Sequence, residues 1–186
     1  MAYKDETLTF ASDKIHYTNN EGTQEVMMDW EHNIMKASAD YICEGGGDIL
    51  EIGFGMGISA DYIQANDISS HTIVENHPQI INKLKAWAVG KPNVFIVEGD
   101  WHDMKDSLST YDGVFYDTWG DKDTKYFKTV LPTLVNSGAK TTWWNNYSDL
   151  DDVFFVSGTI YEAIPVDPPN NVYFNFNIYY LPKKQF

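Results

Sequence analysis

One stretch constrains the chain more than any other: Ile49-Leu50-Glu51-Ile52-Gly53-Phe54-Gly55-Met56-Gly57. An apolar run ends in an acid and meets three glycines at alternate positions. A buried parallel strand reads this way, running into a tight turn and then a helix. Glycines there can take positive φ and let a ligand approach the bare backbone. Such a turn cradles a nucleotide-like cofactor at the carboxyl end of the first strand of an α/β sheet.

The dinucleotide fingerprint G-x-G-x-x-G would need its third glycine where Ile58 stands, so a pyrophosphate fits the spacing poorly. His71-Thr72-Ile73-Val74-Glu75-Asn76 reads as a second strand ending in an acid. Glu75 follows the turn at close to the separation of about 20 residues expected for a ribose-binding carboxylate. In isolation it is equally an ordinary solvated acid at a strand end. The acid before Gly-x-Gly-x-Gly resembles motif I of class I S-adenosylmethionine-dependent methyltransferases, whose turn lies under the methionine part and ribose of that cofactor.

The 186 residues suit one domain with a real core. No apolar run reaches the roughly 18 residues that span a bilayer, and no signal-peptide pattern opens the chain, so no membrane association is expected. Cys43 is the only cysteine, which excludes an intrachain disulfide and favours a reducing, cytoplasmic setting. A formal charge of −14 repels phosphate backbones and argues against nucleic acid as a partner, while it attracts a small cation. The 13 basic residues are all lysines, so no arginine fork is available for a substrate carboxylate. His16, His32, His71, His77 and His102 lack metal-ligand spacing, and no metal is expected.

Residues 1–25 read as an N-terminal arm or lid and 26–186 as a single domain. Helices are expected at Val26 to Tyr41, about 58–65, Pro78 to Trp87, 103–109, 122–135 and 149–156. Strands are expected at about 48–53, 71–75, 93–97, 113–116 and 139–144, with a closing hairpin of 160–166 and 172–181 around Asp167-Pro168-Pro169-Asn170-Asn171. The fold class is α/β, Rossmann-like, a mostly parallel seven-stranded sheet with a C-terminal antiparallel hairpin. A simple nicotinamide-binding domain lacks that hairpin. The acidic run around Asp149 to Asp152 reads as helix capping and solubility. Trp143-Trp144 and the aromatics near 173–180 read as sheet packing.

If the parallel strands are adjacent, their carboxyl ends gather Glu51, Gly53 to Gly57, Glu75, Asp100-Trp101 and Asp117 in one crevice. Asp100 is placed to accept from an adenine amino group. Trp101 serves equally as a neighbour of the ring or as core. Val26-Met27-x-x-Trp30-Glu31, Leu50-Glu51-Ile52-Gly53-Phe54-Gly55-Met56, Ile73-Val74-Glu75-Asn76 and Tyr111-Asp112-Gly113-Val114-Phe115-Tyr116-Asp117-Thr118 together resemble guanidinoacetate N-methyltransferase. The pattern is also similar to the arginine N-methyltransferase of fungi.

The resemblance implies roles. Glu31 and Asp117 would hold an acceptor guanidinium. Met27, Met35, Phe54, Gly55, Met56, Gly57, Ile58, Ser59, Glu75, Asn76, His77, Asp100, Trp101 and Asp117 would contact S-adenosyl-L-methionine. Asn145 and Asn146 would offer main-chain N–H groups to the acceptor carboxylate. The N-terminal arm differs from the family's, and Tyr3, Phe10 and Tyr17 are open alternatives for the aromatic contact that arm supplies.

Two carboxylates can orient a planar guanidinium by charge-assisted hydrogen bonds. Near-attack alignment then carries much of an in-line methyl transfer. Asp117 would localise electron density on the attacking nitrogen and accept its proton, with Glu31 as second anchor. Beside that cation both acids would be ionised at neutral pH. The expected function is methyl transfer to a small guanidino compound, guanidinoacetate giving creatine, by a monomer or homodimer. Arginine or another amidino compound is the close alternative, and a cofactor-binding module without turnover the non-enzymatic one.

Overall fold

The computed structural model describes residues 3–119, 124–146 and 156–186. The N-terminal part is a three-stranded antiparallel sheet of β1 (Thr9–Phe10), β2 (Lys14–Asn19) and β3 (Gly22–Met28). Then follow α1 (His32–Ile42), β4 (Asp48–Ile52), α2 (Ile58–Gln64), β5 (Ser70–Glu75), α3 (Pro78–Trp87), β6 (Val94–Glu98), α4 (Trp101–Met104), β7 (Tyr111–Tyr116), α5 (Thr124–Val130), β8 (Val135–Trp143), β9 (Ile160–Pro165) and β10 (Ile178–Gln185). The main sheet has seven strands in the order β6-β5-β4-β7-β8-β10-β9. Its pairs are parallel from β6 to β8 and antiparallel through β10 and β9.

Alternation along the central strands sorts the helices to two faces. Leu50, Ile52, Val114 and Tyr116 pack with Phe127, Val130 and Trp101, so α4 and α5 cover one side. Ile49 and Phe115 point the other way, against Met35, Ala39 and Ile42 of α1 and Ile58 and Ile63 of α2. Ile73 meets Ile80 and Leu84 of α3, together with Ile15 of β2 and Leu8, which precedes β1. The central strands β4, β5 and β7 are buried on both faces, as their near-continuous apolar runs require.

Local sequence sets the helix starts. His77 accepts the Gln79 N–H at 3.2 Å and Pro78 occupies the first turn of α3, where a missing N–H costs nothing. In α1 the buried positions Ile34, Met35, Ser38, Ala39 and Ile42 form one stripe. That helix begins later than the pattern from Val26 suggests. Val26 to Met28 instead complete β3, with Met27 paired to Ile15 and Met28 to Lys14, and Asp29–Glu31 form a 3-10 turn. Backbone pairing with β2 satisfies these residues, and β3 crosses the boundary drawn at residue 26.

Other boundaries differ at their ends. β8 starts at Val135 rather than 139, because a register shift between Tyr111 and Gly113 lengthens its pairing with β7. The helix expected at 103–109 is α4 followed by a 3-10 turn at Lys105–Ser107, starting early because Asp100 caps it through the His102 N–H at 3.0 Å. The last strand starts at Ile178, since Asn171 folds residues 171–174 into a side-chain-bonded turn. The helix expected at 149–156 lies outside the described residues except for Val156, as do positions 122–123 of the helix before β8.

α1 lies so close to the sheet that a Cβ on Gly113 would sit 2.3 Å from the Ile42 carbonyl oxygen. Gly113→Ala is therefore expected to cost about 1–3 kcal/mol through overpacking against rigid backbone. Urea denaturation would measure it, and a neutral effect would mean that α1 can lift from β7.

Candidate active site

Register fixes the level of the site. Ile52 pairs with Val74 on one side and Tyr116 on the other, and Val74 pairs with Val97. Gly53, Glu75, Glu98 and Asp117 thus emerge together at the carboxyl edge, where the chain leaves β4 and β7 in opposite directions. A cleft of about 1230 Å³ opens there.

The glycine turn cannot carry side chains. Gly53 has φ +95° and its Cβ would fall 1.9 Å from the Asp117 carbonyl oxygen; Gly55 has φ +52° and its Cβ would fall 2.6 Å from Met27 Sδ. Met27 braces the turn, accepting the Met56 N–H on sulfur at 3.1 Å, and Lys83 Nζ donates to the Met56 carbonyl at 2.8 Å. Met27, Gly53, Phe54, Gly55 and Ser59 line the cleft. Met56, Gly57 and Ile58 stand behind this wall, and Met35 is fully buried in the core under α1.

Glu75 lines the cleft and is nearly enclosed. Its carboxylate accepts N–H groups of Phe54 at 3.0 Å, Asn76 at 2.8 Å and His77 at 2.8 Å. Burial raises its pKa, against the pull of these backbone donors. Asn76 also lines the cleft, whereas His77 faces the N-terminal segment: with Nδ1 accepting from Gln79, its Nε2–H donates to the Glu6 carbonyl at 3.1 Å. Burial lowers the His77 pKa, which suits this neutral tautomer. Tyr3 packs on the His77 ring at 5.0 Å and its buried hydroxyl has no hydrogen-bond partner among the described residues. Tyr3 and Tyr17 line the cleft, while Phe10 lies away from it.

Asp100 and Trp101 close the far end. Burial would raise the Asp100 pKa, but hydrogen bonds from the His102 side chain and backbone outweigh it and leave the carboxyl below its ordinary value. Trp101 does both things its sequence position allowed: it lines the cleft and packs edge-on against Phe127 at 5.0 Å.

Glu51 does not reach the cleft. Fully buried on the face opposite Ile52, it accepts from the Ser59 hydroxyl and lies 3.0 Å from His71 Nε2. Strand alternation explains this, because Ile52 and Glu51 point to opposite faces. Glu51 ties β4 to β5 and to the first turn of α2 beneath the glycine turn.

Glu31 and Asp117 both line the cleft. Glu31 ends the 3-10 turn after β3 and reaches back to the Met28 N–H at 2.7 Å, so the turn aims its carboxylate. The Tyr173 hydroxyl donates to the same oxygen at 2.7 Å. Asp117 is fixed by its N–H to the Ile52 carbonyl at 2.9 Å. Burial, with the Asp117 charge adding, pushes Glu31 up to about 8. Burial and the Glu51 charge push Asp117 up to about 7. The protein's own groups thus resist ionising this pair, and a bound cation would have to draw both back down.

Of the asparagine pair, only Asn146 lines the cleft. The Asn145 N–H donates to the Tyr179 hydroxyl at 2.9 Å and its side chain donates to the Tyr180 carbonyl at 3.0 Å, which commits it to the closing hairpin. Tyr173 and Trp144, read from the sequence as sheet packing, also line the cleft, as does Trp119, which the sequence did not single out. The one available signal was that Tyr173 closely follows the Asp167-Pro168-Pro169 turn of the closing hairpin.

A parallel α/β sheet closed by an antiparallel hairpin, with a glycine turn at its switch point, defines the class I methyltransferase fold. The family model described as guanidinoacetate N-methyltransferase matches residues 3–167, and the chain belongs to that family. It is similar to protein arginine N-methyltransferase 2 of Candida glabrata, 36% identical over 155 residues that cover 74% of this chain and 37% of the relative. The chain therefore spans well under half the length of that relative. Spermidine synthase from Thermotoga maritima matches in structure with a TM-score of 0.66 at 10% identity, over 96% of this chain and 72% of that one. Precorrin-6y C5,15-methyltransferase from Geobacter metallireducens gives 0.59 at 15%, over 85% and 89%. At such identities these structures speak for the fold alone. Among the described residues, no helix is long and apolar enough to cross a membrane, and no cluster of metal-ligating side chains occurs.

The raised acids have a stability consequence. Unfolded carboxyls ionise near pH 4, whereas Glu31 and Asp117 hold their protons in the fold until about 8 and about 7. Their stabilising share is full below about pH 4 and is lost as pH rises through these folded values. The double variant Glu31→Gln, Asp117→Asn should gain urea resistance over the parent at pH 8 and lose that gain near pH 5. An equal difference at both pH values would contradict the raised pKa values.

Proposed function

We propose that this chain is an S-adenosylmethionine-dependent N-methyltransferase that transfers a methyl group to a small guanidino compound. Guanidinoacetate, giving creatine, is the leading acceptor, as the family's description suggests. The observation that carries this reading is the pair Glu31 and Asp117: two buried acids of raised pKa in the same cleft as the glycine turn. Among the described lining residues, the acids are Glu6, Glu21, Glu31, Glu75, Asp100 and Asp117, against Lys4 as the one amine. Such a cleft suits a cation.

The cofactor fits what is there. A turn that excludes side chains at Gly53 and Gly55, a ribose-height carboxylate at Glu75 and the Asp100-Trp101 corner offer a cradle for a nucleoside and an amino-acid tail. S-adenosylmethionine, when bound, supplies an electrophilic methyl group on a sulfonium. The chain's own part is to orient the acceptor and take its proton. Glu31 and Asp117, ionised beside it, grip the planar cation, and Asp117 accepts the proton that the methylated nitrogen gives up. Residues 1–25 serve as a lid in this reading, tied to the cofactor side by the His77–Glu6 hydrogen bond, over a single domain from residue 26.

A second reading, arginine as acceptor, is favoured by two observations. The relative described above bears the name of an arginine methyltransferase. The Asn145 N–H is already used by Tyr179, which removes one of the two donors expected for a small acceptor's carboxylate.

Mass spectrometry of the protein with S-adenosylmethionine and guanidinoacetate, arginine, glycine and an arginine peptide separates these readings. One added methyl on guanidinoacetate supports the first, and on arginine alone the second. No transfer despite cofactor binding would leave a binding module. Asp117→Asn should lower kcat by about 10²–10⁴-fold while retaining cofactor affinity. Glu31→Gln should weaken acceptor binding more than cofactor binding, and equal loss of both would contradict its assigned role.

A further inference from the structure

The carboxylate of Glu31 is used unequally. Its Oε1 accepts both the Met28 N–H and the Tyr173 hydroxyl, each at 2.7 Å. A carboxylate oxygen has two lone-pair directions, so Oε1 is filled by the protein itself and Oε2 is the atom left for an incoming donor. The Met28 bond is local to the turn. The Tyr173 bond is a long-range choice made by the C-terminal segment.

That segment is built to deliver one hydroxyl. Asn171, 7% exposed, accepts the N–H groups of Tyr173 at 3.0 Å and Phe174 at 2.8 Å. Its amide donates to the carbonyls of Pro169 at 2.8 Å and Phe174 at 2.7 Å. Both donor hydrogens and both acceptor directions of one side chain thereby hold residues 169–174. The neighbouring Val172 N–H donates to Glu25 of β3 at 3.3 Å, joining the segment to the strand that leads into Glu31. The Tyr173 ring is boxed by Trp119 at 5.8 Å, Trp144 at 6.0 Å and Trp30 at 6.3 Å, which leaves its hydroxyl little freedom.

We propose that Tyr173 is the positioning residue of the acceptor site: its hydroxyl fills Oε1 of Glu31, fixes the direction of the carboxylate and so offers a cation Oε2 alone. The recognition of a guanidinium rests on the function proposed above, but the control of Glu31 by Tyr173 does not. The titratable groups acting on Glu31 are Tyr173 and Asp117, which pull in opposite directions. The hydroxyl favours the ionised acid, and the Asp117 charge disfavours it. Burial and the Glu31 charge keep Tyr173 protonated far above neutrality, so it remains a donor throughout the working range.

Tyr173→Phe keeps the ring and removes the donor. The test is a ¹³C-carboxyl NMR titration of Glu31 in the whole chain, with calorimetric binding of methylguanidinium and of S-adenosylmethionine. Without the hydroxyl, the Glu31 midpoint should rise by about one pH unit. Methylguanidinium affinity should fall roughly tenfold at pH 7, since a hydrogen bond to a charged group is lost. Cofactor affinity and the thermal midpoint should stay close to the parent's, and adding Tyr173→Phe to Glu31→Gln should weaken the cation no further. An unmoved Glu31 midpoint overturns the proposal, as does equal loss of cation and cofactor affinity with a lowered thermal midpoint. If the parent protein binds no methylguanidinium while the midpoint still shifts, the guanidino reading fails and the control of Glu31 by Tyr173 stands.

Discussion

The backbone of Asp117 lies against Gly53 so closely that a Cβ there would meet the Asp117 carbonyl oxygen at 1.9 Å. The contact follows from β4 and β7 being parallel neighbours, with Ile52 paired to Tyr116 and the Asp117 N–H bonded to the Ile52 carbonyl. It joins two otherwise separate parts. The glycine turn and the acid that lines the cleft beside it become one rigid piece, held by the most buried strands of the sheet. Any side chain at Gly53 would push them apart, and the left-handed φ at that position would be strained as well.

Around this contact the electrostatics are arranged at a cost. Three acids, Glu31, Glu51 and Asp117, lie in or just below one wall of the cleft. Each has a different compensation. Glu51 has the Ser59 hydroxyl, Glu31 has Met28 and Tyr173, and Asp117 has the least help from side chains. Both cleft acids keep a proton near neutral pH, and Asp117, held to about 7 against about 8 for Glu31, lies nearer neutrality, which suits a proton acceptor better than a purely structural acid.

Much of the fold was legible because the central strands are short apolar runs ending in acids or glycines, and α3 carries its start signal in His77-Pro78. Val26 to Met28 were misplaced for a physical reason: their apolar spacing suits a helix as well as a strand, and only pairing with Ile15 and Lys14 decides between them. The site was legible where a residue stands at a strand's carboxyl end, as Glu75 and Asp117 do. It was not where alternation or tertiary pairing chooses the direction. Glu51 is one residue from the turn yet points to the opposite face, and the Asn145 N–H is taken by a tyrosine from β10. Tyr173 is far from Glu31 in sequence, and no local pattern announces their bond.

The division of labour follows from rigidity. In the proposed reading, groups on the sheet edge and the glycine turn would hold the cofactor and the nitrogen to be methylated. Groups that come from beyond the sheet, Tyr173 on its asparagine-held turn and Tyr3 and Tyr17 from the N-terminal segment, meet the same cleft from outside. The outer segments are anchored to each other and to the inner frame: Glu25 of β3 takes the Val172 N–H, and His77 with Gln79 of the α3 start holds Glu6 and Leu8. A change of acceptor would then need changes only in the outer segments, while Glu31 and Asp117 remain. Under the proposed function, a guanidinoacetate and an arginine acceptor would share one frame: the cationic head would meet Glu31 and Asp117, and the rest of the acceptor would meet the segments attached to them.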